Sequence, residues 1–477
     1  MSVSPFQWTD LEVRSALALA PETGSQDVRF TGISTDSRST RPGELYVALS
    51  GERFDGHDFV ARALAAGAEG AVVSRPTGAV GGGARLYPVE DTLVALGRLA
   101  SHRRQALPAS VVGITGSSGK TGTKDLTAGA LAGSLRVHAT RGNLNNRVGV
   151  PLTLLSAPPD AQVVVAEMGT NEPGEIAILT GIARPDVGVV TTVGESHLEK
   201  LGSLEGVLAE KLALLGGLPP EGSALVGDTP PELPLAARRI REGARVAGWS
   251  ERADPDLRPG LAERDPSGHF TFSWRGERVA LAVPGRHYVA NALLALAVAE
   301  TLGVPPAEAA RGVATVPPPP MRGEVRRLGG LTLLVDCYNA NPQSVRAALD
   351  LLEGHSGRCR VAVLGTMLEL GEGSGALHRR VLEDALGRDL ELVVATGGFA
   401  RAAAQAPTRA GGPGLELLIA PEPEDAYPLL RARLAGDEVV LLKASRGVAL
   451  ERLLPLFERD WGAGPGAPRG ATGTGEG

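Results

Sequence analysis

The stretch from residue 111 to residue 121 constrains this chain more than any other. It has the sequence VVGITGSSGKT, in which an apolar, β-branched run stops at a short Gly/Ser loop. A helix-forming segment, residues 124–131, follows it. Strand, glycine-containing loop and helix in this order are typical of a nucleotide-binding P-loop. The sequence therefore predicts a phosphate site where unpaired backbone N–H groups point out of the helix N-terminus.

Four residues of this loop suit a nucleoside triphosphate. Gly116 and Gly119 let the backbone approach a phosphate with no Cβ in the way. Lys120 can reach the β- and γ-phosphates, and the hydroxyl of Thr121 is placed for Mg²⁺. Ile114 stands where the common pattern has its first glycine, so the loop is a shortened Gly-x-x-Gly-Lys-Thr. The loop predicts binding of ATP or GTP and leaves the reaction open.

Composition and charge narrow the class of protein. A chain of 477 residues is expected to form two or three domains, and 43% hydrophobic with 21% charged residues is typical of a soluble globular protein. The net charge of −6 argues against a general nucleic-acid or anionic-membrane partner. Cys337 and Cys359 are too few for a disulfide framework, which favours a reducing cytoplasm. Neither a signal peptide nor an apolar run long enough to span a bilayer is expected.

The predicted fold class is α/β, with three domains and a disordered tail. Pro108 precedes the P-loop strand and a run of prolines occupies residues 317–320, so both positions are expected boundaries. The predicted units are a small N-terminal α/β domain (residues 1–107) and a central P-loop domain with a parallel sheet (108–317). A C-terminal Rossmann-like doubly wound α/β domain (318–461) and the tail (462–477) follow.

The expected elements follow from periodicity and from β-branched runs. Buried strands are predicted over residues 163–168, 187–193, 224–226, 331–336, 361–364, 392–395 and 439–442. Short strand and turn segments are predicted over 33–38 and 44–49. Helices are predicted over residues 59–68, 204–215 and 287–302, an antiparallel hairpin over 269–283 and a flexible loop over 78–83.

Ten separated motifs together point to one family. They are STDSR (34–38), GERFDGHDF (51–59), TGSSGKT (115–121), GNLNN (142–146), AEMG (166–169), SHLE (196–199), PGRH (284–287) with Asn291, DCYNANP (336–342), LGTMLELG (364–371) and KASR (443–446). In this order and spacing they resemble the Mur ligases of bacterial cell-wall peptidoglycan synthesis along nearly the whole chain. Residues 336–342 resemble the members that add D-alanyl-D-alanine, except that Cys337 replaces a serine. The Asp-Asn-Pro-Arg motif of the diaminopimelate-adding relative does not occur.

The resemblance implies an ATP-dependent amide ligase that adds D-alanyl-D-alanine to UDP-N-acetylmuramoyl-tripeptide. A carboxylate is a poor acyl donor, so it is first phosphorylated; the amine then attacks the acyl phosphate, and a tetrahedral intermediate releases phosphate beside ADP. Because two anions must be brought together, cations and fixed dipoles are the main requirement. The implied cofactors are ATP and two Mg²⁺ ions, and the expected form is a monomer.

The implied catalytic and metal-binding set is small. Lys120 supplies positive charge, and the implied metal ligands are Thr121, Glu167, His197 and a carbamylated Lys211. Glu167 ends a predicted buried strand, where a carboxylate needs a cation or hydrogen bonds. From the residues alone, a solvated strand-end glutamate, a capping or packing histidine and a solvated helix lysine stay open as alternatives.

The carbamate would turn a cation into a metal ligand. A neutral lysine amine can add CO₂, which gives Mg²⁺ the oxygen donor that it prefers. Lys211 matches the family position within the predicted helix, although Ala213 stands where the family often has glutamate.

The remaining site residues also come from the resemblance. The implied ATP-binding residues are Thr115, Gly116, Ser117, Ser118, Gly119, Lys120, Thr121, Gly122, Asn291, Arg322 and Asp336. The implied substrate-binding residues are Ser34, Thr35, Asp36, Ser37, Arg38, Arg53, His57, Asn143, Asn145, Asn146, Tyr338, Asn339, Asn341, Lys443, Ser445 and Arg446.

Several of these roles have physical alternatives. A structural role for Arg53 and His57 is an equal possibility, and Cys337 is expected to be only a small buried side chain. Lys443 or Arg446 would face the dipeptide carboxylate. Ligands spread over three domains imply closure, with hinges at residues 317–320 and near Pro108.

Other function classes stay open. They are another ligase of the same scaffold (a different Mur ligase or folylpolyglutamate synthase), a non-catalytic P-loop switch and a small-molecule kinase. The tripeptide's third residue, diaminopimelate or lysine, also stays open.

Overall fold

The computed structural model describes residues 7–22, 28–51, 54–76, 85–356, 359–405 and 414–462. The expectations for Arg53, for the loop at 78–83 and for the tail beyond residue 462 lie outside the described residues.

The N-terminal domain is a parallel sheet beside a short antiparallel pair. The strands are β1 (Trp8–Thr9), β2 (Arg29–Phe30), β3 (Gly32–Ser34), β4 (Glu44–Val47), β5 (Gly70–Val73) and β6 (Arg85–Pro88), and the helices are α1 (Asp10–Leu17), α2 (Val60–Ala65) and α3 (Thr92–Ala106). Strands β3 to β6 pair in parallel in chain order, while β1 pairs with β2. Trp8, Phe30 and Tyr87 fill the core together with the apolar face of α3. The segment predicted over 44–49 contains β4, whereas only the start of the segment predicted over 33–38 is a strand, because β3 ends at Ser34. The predicted helix at 59–68 is shorter, Val60–Ala65, and a 3₁₀ turn, Gly56–Phe59, precedes it.

The central domain is built on a parallel sheet in the order β12-β11-β10-β7-β9-β8. Its strands are β7 (Ser110–Thr115), β8 (Val137–Ala139), β9 (Val163–Glu167), β10 (Val187–Val190), β11 (Ser223–Gly227) and β12 (Arg245–Ala247). Strands β7, β9 and β10 are β-branched and almost wholly buried, as expected where helices cover both faces of a parallel sheet.

Helices and an antiparallel sheet complete this domain. The helices are α4 (Lys120–Ala132), α5 (Gly149–Leu155), α6 (Glu175–Ala183), α7 (Leu198–Leu201), α8 (Leu204–Gly216), α9 (Glu232–Ile240), α10 (Arg286–Thr301) and α11 (Pro306–Ala314). The antiparallel strands are β13 (Gly260–Arg264), β14 (His269–Trp274) and β15 (Glu277–Pro284). Helix α10 is buried on almost every face against α4 and these strands, which accounts for its Ala/Leu composition. The predicted hairpin and both predicted helices are confirmed.

The C-terminal domain has a mixed sheet in the order β16-β17-β21-β18-β19-β20. Its strands are β16 (Glu324–Leu328), β17 (Leu331–Asp336), β18 (Arg360–Leu364), β19 (Leu392–Thr396), β20 (Glu416–Ala420) and β21 (Val439–Lys443), and its helices are α12 (Pro342–Glu353), α13 (Ser374–Leu386), α14 (Gly398–Gln405), α15 (Pro423–Arg431) and α16 (Leu454–Trp461). Strand β16 pairs antiparallel with β17 at one edge. The α/β expectation is confirmed, but β17 is the second strand of this domain, because charged, half-buried β16 lacks the apolar run that revealed the others.

Each predicted domain thus holds a sheet of its own, while the exact boundaries stay predictions. In the described part of the chain, no helix is both long and apolar enough to cross a bilayer.

Candidate active site

A cavity of about 600 Å³ lies where the carboxyl ends of β7, β9, β10 and β11 face the C-terminal domain. Strand β7 lies between β9 and β10, so the chain crosses to opposite sides of it, and such a switch point opens a crevice in α/β sheets. The predicted residues among those that line the cavity are Ser117, Ser118, Gly119, Lys120, Gly122, Asn145, Asn146, Glu167, His197, Asn291, Arg322, Asp336, Tyr338, Asn339, Asn341 and Lys443.

The P-loop has the backbone that its glycines predict. Gly116 and Gly119 have φ of 147° and 84°, which side chains rarely adopt, and Gly119 caps α4. Lys120 Nζ donates to the carbonyl of Gly116 at 2.7 Å, and burial lowers the pKa of this lysine. Asn291 packs onto the loop so closely that a Cβ on Gly119 would lie 2.7 Å from its Oδ1. Thr115 ends β7 before the loop and Thr121 lies in the first turn of α4 after it, and both are buried.

Glu167 ends β9 and is 1% exposed, so the solvated strand-end alternative is wrong. Its Oε1 accepts a hydrogen bond from Asn145 Nδ2 at 2.8 Å. Its Oε2 is buried and has no hydrogen-bond partner among the described residues. An unpaired carboxylate oxygen in the interior is costly unless a cation or a donor reaches it.

Lys211 projects from α8 and is 0% exposed, so the solvated-lysine alternative is wrong as well. Burial is the main reason why the pKa of Lys211 lies well below its usual range, and the nearby charge of Lys120 lowers it further. Within the described residues Nζ has no hydrogen-bond partner. A lowered pKa favours the neutral amine, which is the form of lysine that can add CO₂.

His197 precedes α7 in a left-handed backbone conformation with φ of 53°. Its side chain makes no capping hydrogen bond to this helix, which removes the capping alternative. Instead, Nδ1 lies 2.7 Å from Oε2 of Glu369, a residue of the C-terminal domain. His197 lines the cavity, and Nε2 is the ring nitrogen left for a ligand.

These residues fit Mg²⁺ bound together with a nucleotide. Within the described ranges, no three His, Cys, Asp or Glu side chains gather into a ready-made metal site. Mg²⁺ is usually held by one or two carboxylates plus substrate phosphates, so such a cluster is not required. The orphaned Oε2 of Glu167, the hydroxyl of Thr121 at the start of α4 and the ring of His197 are the donors that fit.

The C-terminal domain closes the cavity with residues from β17, β21 and the loop before α12. Lys443 Nζ pairs with Asp336 Oδ2 at 3.0 Å and donates to the carbonyl of Asn339 at 2.6 Å. The guanidinium of Arg322 lies over the ring of Tyr338, 3.9 Å from its centroid. The positive charge of Lys443 is thus already matched by a carboxylate.

Asn341 joins the C-terminal domain to the P-loop. It caps α12 by accepting a hydrogen bond from Ser344 N at 2.8 Å, and its Nδ2 donates to Ser118 Oγ at 3.2 Å. Gln343 makes a parallel contact, because Thr192 Oγ1 donates to its Oε1 at 3.1 Å. These contacts bring the two domains together at the phosphate loop.

Some predicted residues face away from this cavity. Ser445 is buried and its Oγ accepts from Leu368 N at 3.0 Å, while Arg446 pairs with Glu451 at 3.0 Å. Cys337 is fully buried beside the site, as predicted, and burial raises its pKa to about 12.

The N-terminal domain keeps its own polar residues apart from the cavity. Arg38 donates to the carboxylate of Asp36 and lowers its pKa to about 2, and Ser34 Oγ accepts from Asp36 N at 3.3 Å. These contacts brace the turn at 34–38, which also contains Thr35 and Ser37. His57 is buried: Nδ1 lies 2.6 Å from Asp55 Oδ1, and Nε2 accepts from Ser74 N at 2.9 Å. The hydrogen bonds of His57 favour the structural alternative.

Several residues that the structure brings to the site had no predicted role. Glu369 belongs to a recognised motif, but its contact with His197 depends on tertiary packing. Trp249 and Arg286 line the cavity as a stacked pair, with the guanidinium 4.4 Å from the ring centroid. A lone tryptophan between β12 and β13 carries no periodic signal that could have revealed this.

Comparison with known proteins agrees with this architecture. Three family models match successive parts of the chain: Mur ligase family, catalytic domain, at residues 29–104; Mur ligase middle domain, at 114–299; and Mur ligase, glutamate ligase domain, at 321–446. The UDP-N-acetylmuramoyl-tripeptide–D-alanyl-D-alanine ligase of Bacillus subtilis is 33% identical over 425 residues, which are 89% of this chain and 92% of that protein.

Solved structures of similar proteins share the whole arrangement. MurF from Acinetobacter baumannii superimposes with a TM-score of 0.85 at 31% identity and covers 96% of this chain and 100% of its own. MurF ligase from Thermotoga maritima, solved in complex with ADP, has a TM-score of 0.78 at 30% identity and covers 90% of this chain and 97% of its own. From these matches and the three-domain fold, the chain belongs to the Mur ligase family.

Proposed function

We propose that this protein joins D-alanyl-D-alanine to UDP-N-acetylmuramoyl-tripeptide and converts ATP to ADP and phosphate. The observation that carries the proposal is the P-loop cavity walled on its far side by the C-terminal segment that includes Asp336, Tyr338 and Asn341. The full-length similarity to D-alanyl-D-alanine-adding ligases supports the choice of substrates. The proposed reaction proceeds through an acyl phosphate and a tetrahedral intermediate.

The electrostatics of the cavity suit the meeting of two anions. Lys120 lies at the start of α4, where its ammonium and the helix N-terminus both favour phosphate. Arg322 enters the same cavity from the C-terminal domain. Positive groups fixed in advance stabilise the charge that develops on the transferred phosphoryl group, because they need no reorganisation during the reaction.

Mg²⁺ would be held by Thr121, Glu167, His197 and a carbamate on Lys211, beside the ATP phosphates. When bound, it neutralises phosphate charge and polarises the acyl phosphate. The lowered pKa of Lys211, whose Nζ has no hydrogen-bond partner among the described residues, and the orphaned oxygen of Glu167 support this assignment. A lysine with its ordinary pKa would stay protonated at neutral pH and could not add CO₂.

The substrates are proposed to bind at opposite ends of the cavity. Asn145 and Asn146 line it beside the central domain, which supports a role at the tripeptide end, with Asn143 on the same loop. Tyr338 and Asn339 line it on the C-terminal side, which supports a role in binding D-alanyl-D-alanine. The turn at 34–38 would bind the uridine nucleotide.

Phosphate release tests the proposal directly. The purified protein, ATP and Mg²⁺ are combined with UDP-N-acetylmuramoyl-tripeptide, with D-alanyl-D-alanine, or with both. Phosphate release is measured, and mass spectrometry gives the mass of the nucleotide product. Release that requires both, with a pentapeptide nucleotide as the product, is expected. Release with one substrate and a stable phosphorylated product would indicate a kinase, and activity with folate and glutamate would overturn the assignment.

Chemical rescue tests the carbamate separately. We expect Lys211→Ala to lose ligation and to recover part of it with added formate or acetate, because a short carboxylate can occupy the place of the carbamate. Intact-mass analysis of the native protein should show the matching increment. Full activity without a carboxylate would contradict the assignment.

A further inference from the structure

We infer that Glu369 is a positioning residue that orients the ring of His197 when the C-terminal domain packs against the central domain. This inference rests on the proposed function, since it concerns the donor that His197 offers in that site. Glu369 does not line the cavity, so it acts through His197 and not on the substrates.

The contact joins two domains through one short hydrogen bond. Glu369 Oε2 and His197 Nδ1 are 2.7 Å apart, and the histidine side chain is 16% exposed. A carboxylate accepts here, so Nδ1 carries the proton, and in the neutral ring the lone pair is then on Nε2. A carboxylate on the far nitrogen of a ligating histidine fixes both the tautomer and the ring plane.

Both residues are held in an uncommon backbone conformation. Neither is glycine, yet φ is 53° at His197 and 64° at Glu369. Left-handed residues of this kind persist where the surroundings determine them, and they cluster at functional sites. The carbonyl of Glu369 also accepts from Glu199 N at 3.3 Å, so the two strained turns are bonded to each other twice.

The loop that carries Glu369 is anchored within its own domain. Met367 N donates to His378 Nε2 at 2.9 Å, and Leu368 N donates to Ser445 Oγ at 3.0 Å. Both anchors are buried. Glu369 therefore moves with the C-terminal domain and cannot follow His197 if that domain swings away.

The segment that carries His197 is bonded to the P-loop on its other side. Ser117 N donates to Thr192 O at 2.8 Å, and Ser117 Oγ donates to Gly194 O at 3.1 Å. Closure thus joins Glu369, through His197, to the segment that is bonded to the phosphate loop.

The same interface offers a matched control. Arg380 and Glu195 pair at 2.5 Å, also between the C-terminal and central domains, only two residues before His197. This pair does not touch the histidine ring. Removing this pair weakens the contact between the domains, while Glu369 still orients the ring of His197.

The test compares Glu369→Ala, Glu369→Gln and Arg380→Gln in the full-length protein. Ligation kinetics with UDP-N-acetylmuramoyl-tripeptide and D-alanyl-D-alanine give kcat and KM, and electron paramagnetic resonance gives the affinity for Mn²⁺ in the presence of ADP. We expect Glu369→Ala to lower kcat and Mn²⁺ affinity by about 10- to 100-fold, the usual cost of losing a partner of a metal ligand. KM for D-alanyl-D-alanine should stay nearly constant.

Glutamine keeps an acceptor oxygen, so Glu369→Gln should retain most of the wild-type kcat and Mn²⁺ affinity. Arg380→Gln should leave Mn²⁺ affinity unchanged. Equal losses in Glu369→Ala and Arg380→Gln would overturn the inference in favour of a plain domain contact, and so would an unchanged Mn²⁺ affinity in Glu369→Ala. If the wild-type protein fails to ligate this substrate pair, the proposed function fails, while the Mn²⁺ measurement still tests the role of Glu369.

Discussion

At the residue scale, the candidate site depends on asparagine side chains that position its other groups. Asn145 holds one oxygen of Glu167, which leaves the other oxygen free for a cation. Asn291 packs against Gly119 and Gly122, so the helix α10 that follows the PGRH motif supports the phosphate loop from behind. The shape of the loop therefore depends on residues far away in the sequence.

Gly119→Ala is expected to abolish nucleotide binding while the protein stays folded. The new Cβ would meet Asn291 Oδ1 at 2.7 Å, and φ of 84° is strained for alanine. Isothermal titration with ADP and Mg²⁺ measures the loss. Gly181→Ala is the matched control, because nothing lies within 4 Å of its added Cβ and it should bind ADP normally. Normal ADP affinity in Gly119→Ala would contradict the described loop geometry.

His378 is expected to make stability fall on mild acidification. Burial lowers its pKa, and its Nε2 accepts from Met367 N, which requires the neutral ring. The unfolded chain gains a proton below about pH 6.5, whereas the folded ring resists it. The free energy of unfolding should drop from that pH downwards, by at most about 1.4 kcal/mol per pH unit for one group. Urea unfolding at pH 7 and pH 5 measures the change in the free energy of unfolding. This change should be smaller in His378→Gln than in the wild-type protein, and an equal change would contradict the role of His378 in acid sensitivity.

At the element scale, two helices of the central domain touch backbone to backbone. Helix α4, which starts at the P-loop, packs against α11 where Gly129 faces Gly312. A Cβ on Gly312 would lie 2.1 Å from the carbonyl oxygen of Gly129, a distance that no rotamer change can relieve. Two glycines therefore set how closely α11 supports the phosphate-binding helix.

Gly312→Ala is expected to destabilise the protein by about 1–3 kcal/mol, the usual cost of overpacking a close contact. The backbone of α4 would have to shift, so ADP affinity should fall together with Tm. Differential scanning calorimetry measures the first effect and titration the second. Gly216→Ala, at the end of α8 with nothing within 4 Å, should leave both unchanged. A Gly312→Ala protein with wild-type Tm would contradict the contact.

At the scale of the whole molecule, helix α3 joins the first two domains. Its first half contributes Leu96 and Leu99 to the N-terminal core, and Ala100 belongs to a core of the central domain. Arg103 donates to the carbonyl of Ala157 at 2.8 Å. The expected hinge near Pro108 therefore directly follows a helix that packs against both domains.

Arg104→Ala is expected to loosen the N-terminal domain from the central one. The guanidinium donates to the carbonyls of Ala183 and Arg184 and pairs with Asp186 at 2.9 Å. Its loss should cost about 1–3 kcal/mol, because the carbonyl of buried Ala183 loses its donor. Limited proteolysis should then cut faster between residues 106 and 110. Arg98→Ala, on the exposed face of the same helix, should not change the rate, and equal rates in all three proteins would contradict the bridge.

The local elements followed from the sequence because their signals are local. β-branched runs bounded by polar residues identified the buried strands, and the glycine-containing loop after β7 predicted its own backbone. Strand β16 was not predicted, because an edge strand with charged residues has no such run. The family resemblance extends along nearly the whole chain because ten motifs follow one another in the order found in the family, although each motif is weak alone.

Only the tertiary structure decided which of these residues share a site. The sequence by itself determined the P-loop, the α/β class and the list of candidate residues, since these depend on neighbours along the chain. Folding then buried Lys211 and one oxygen of Glu167, brought Glu369 to His197 across a domain boundary, and turned Ser445 inward. Burial and long-range contacts set the pKa values and the partners of these groups, and both depend on the path of the chain through space and not on the spacing of its residues.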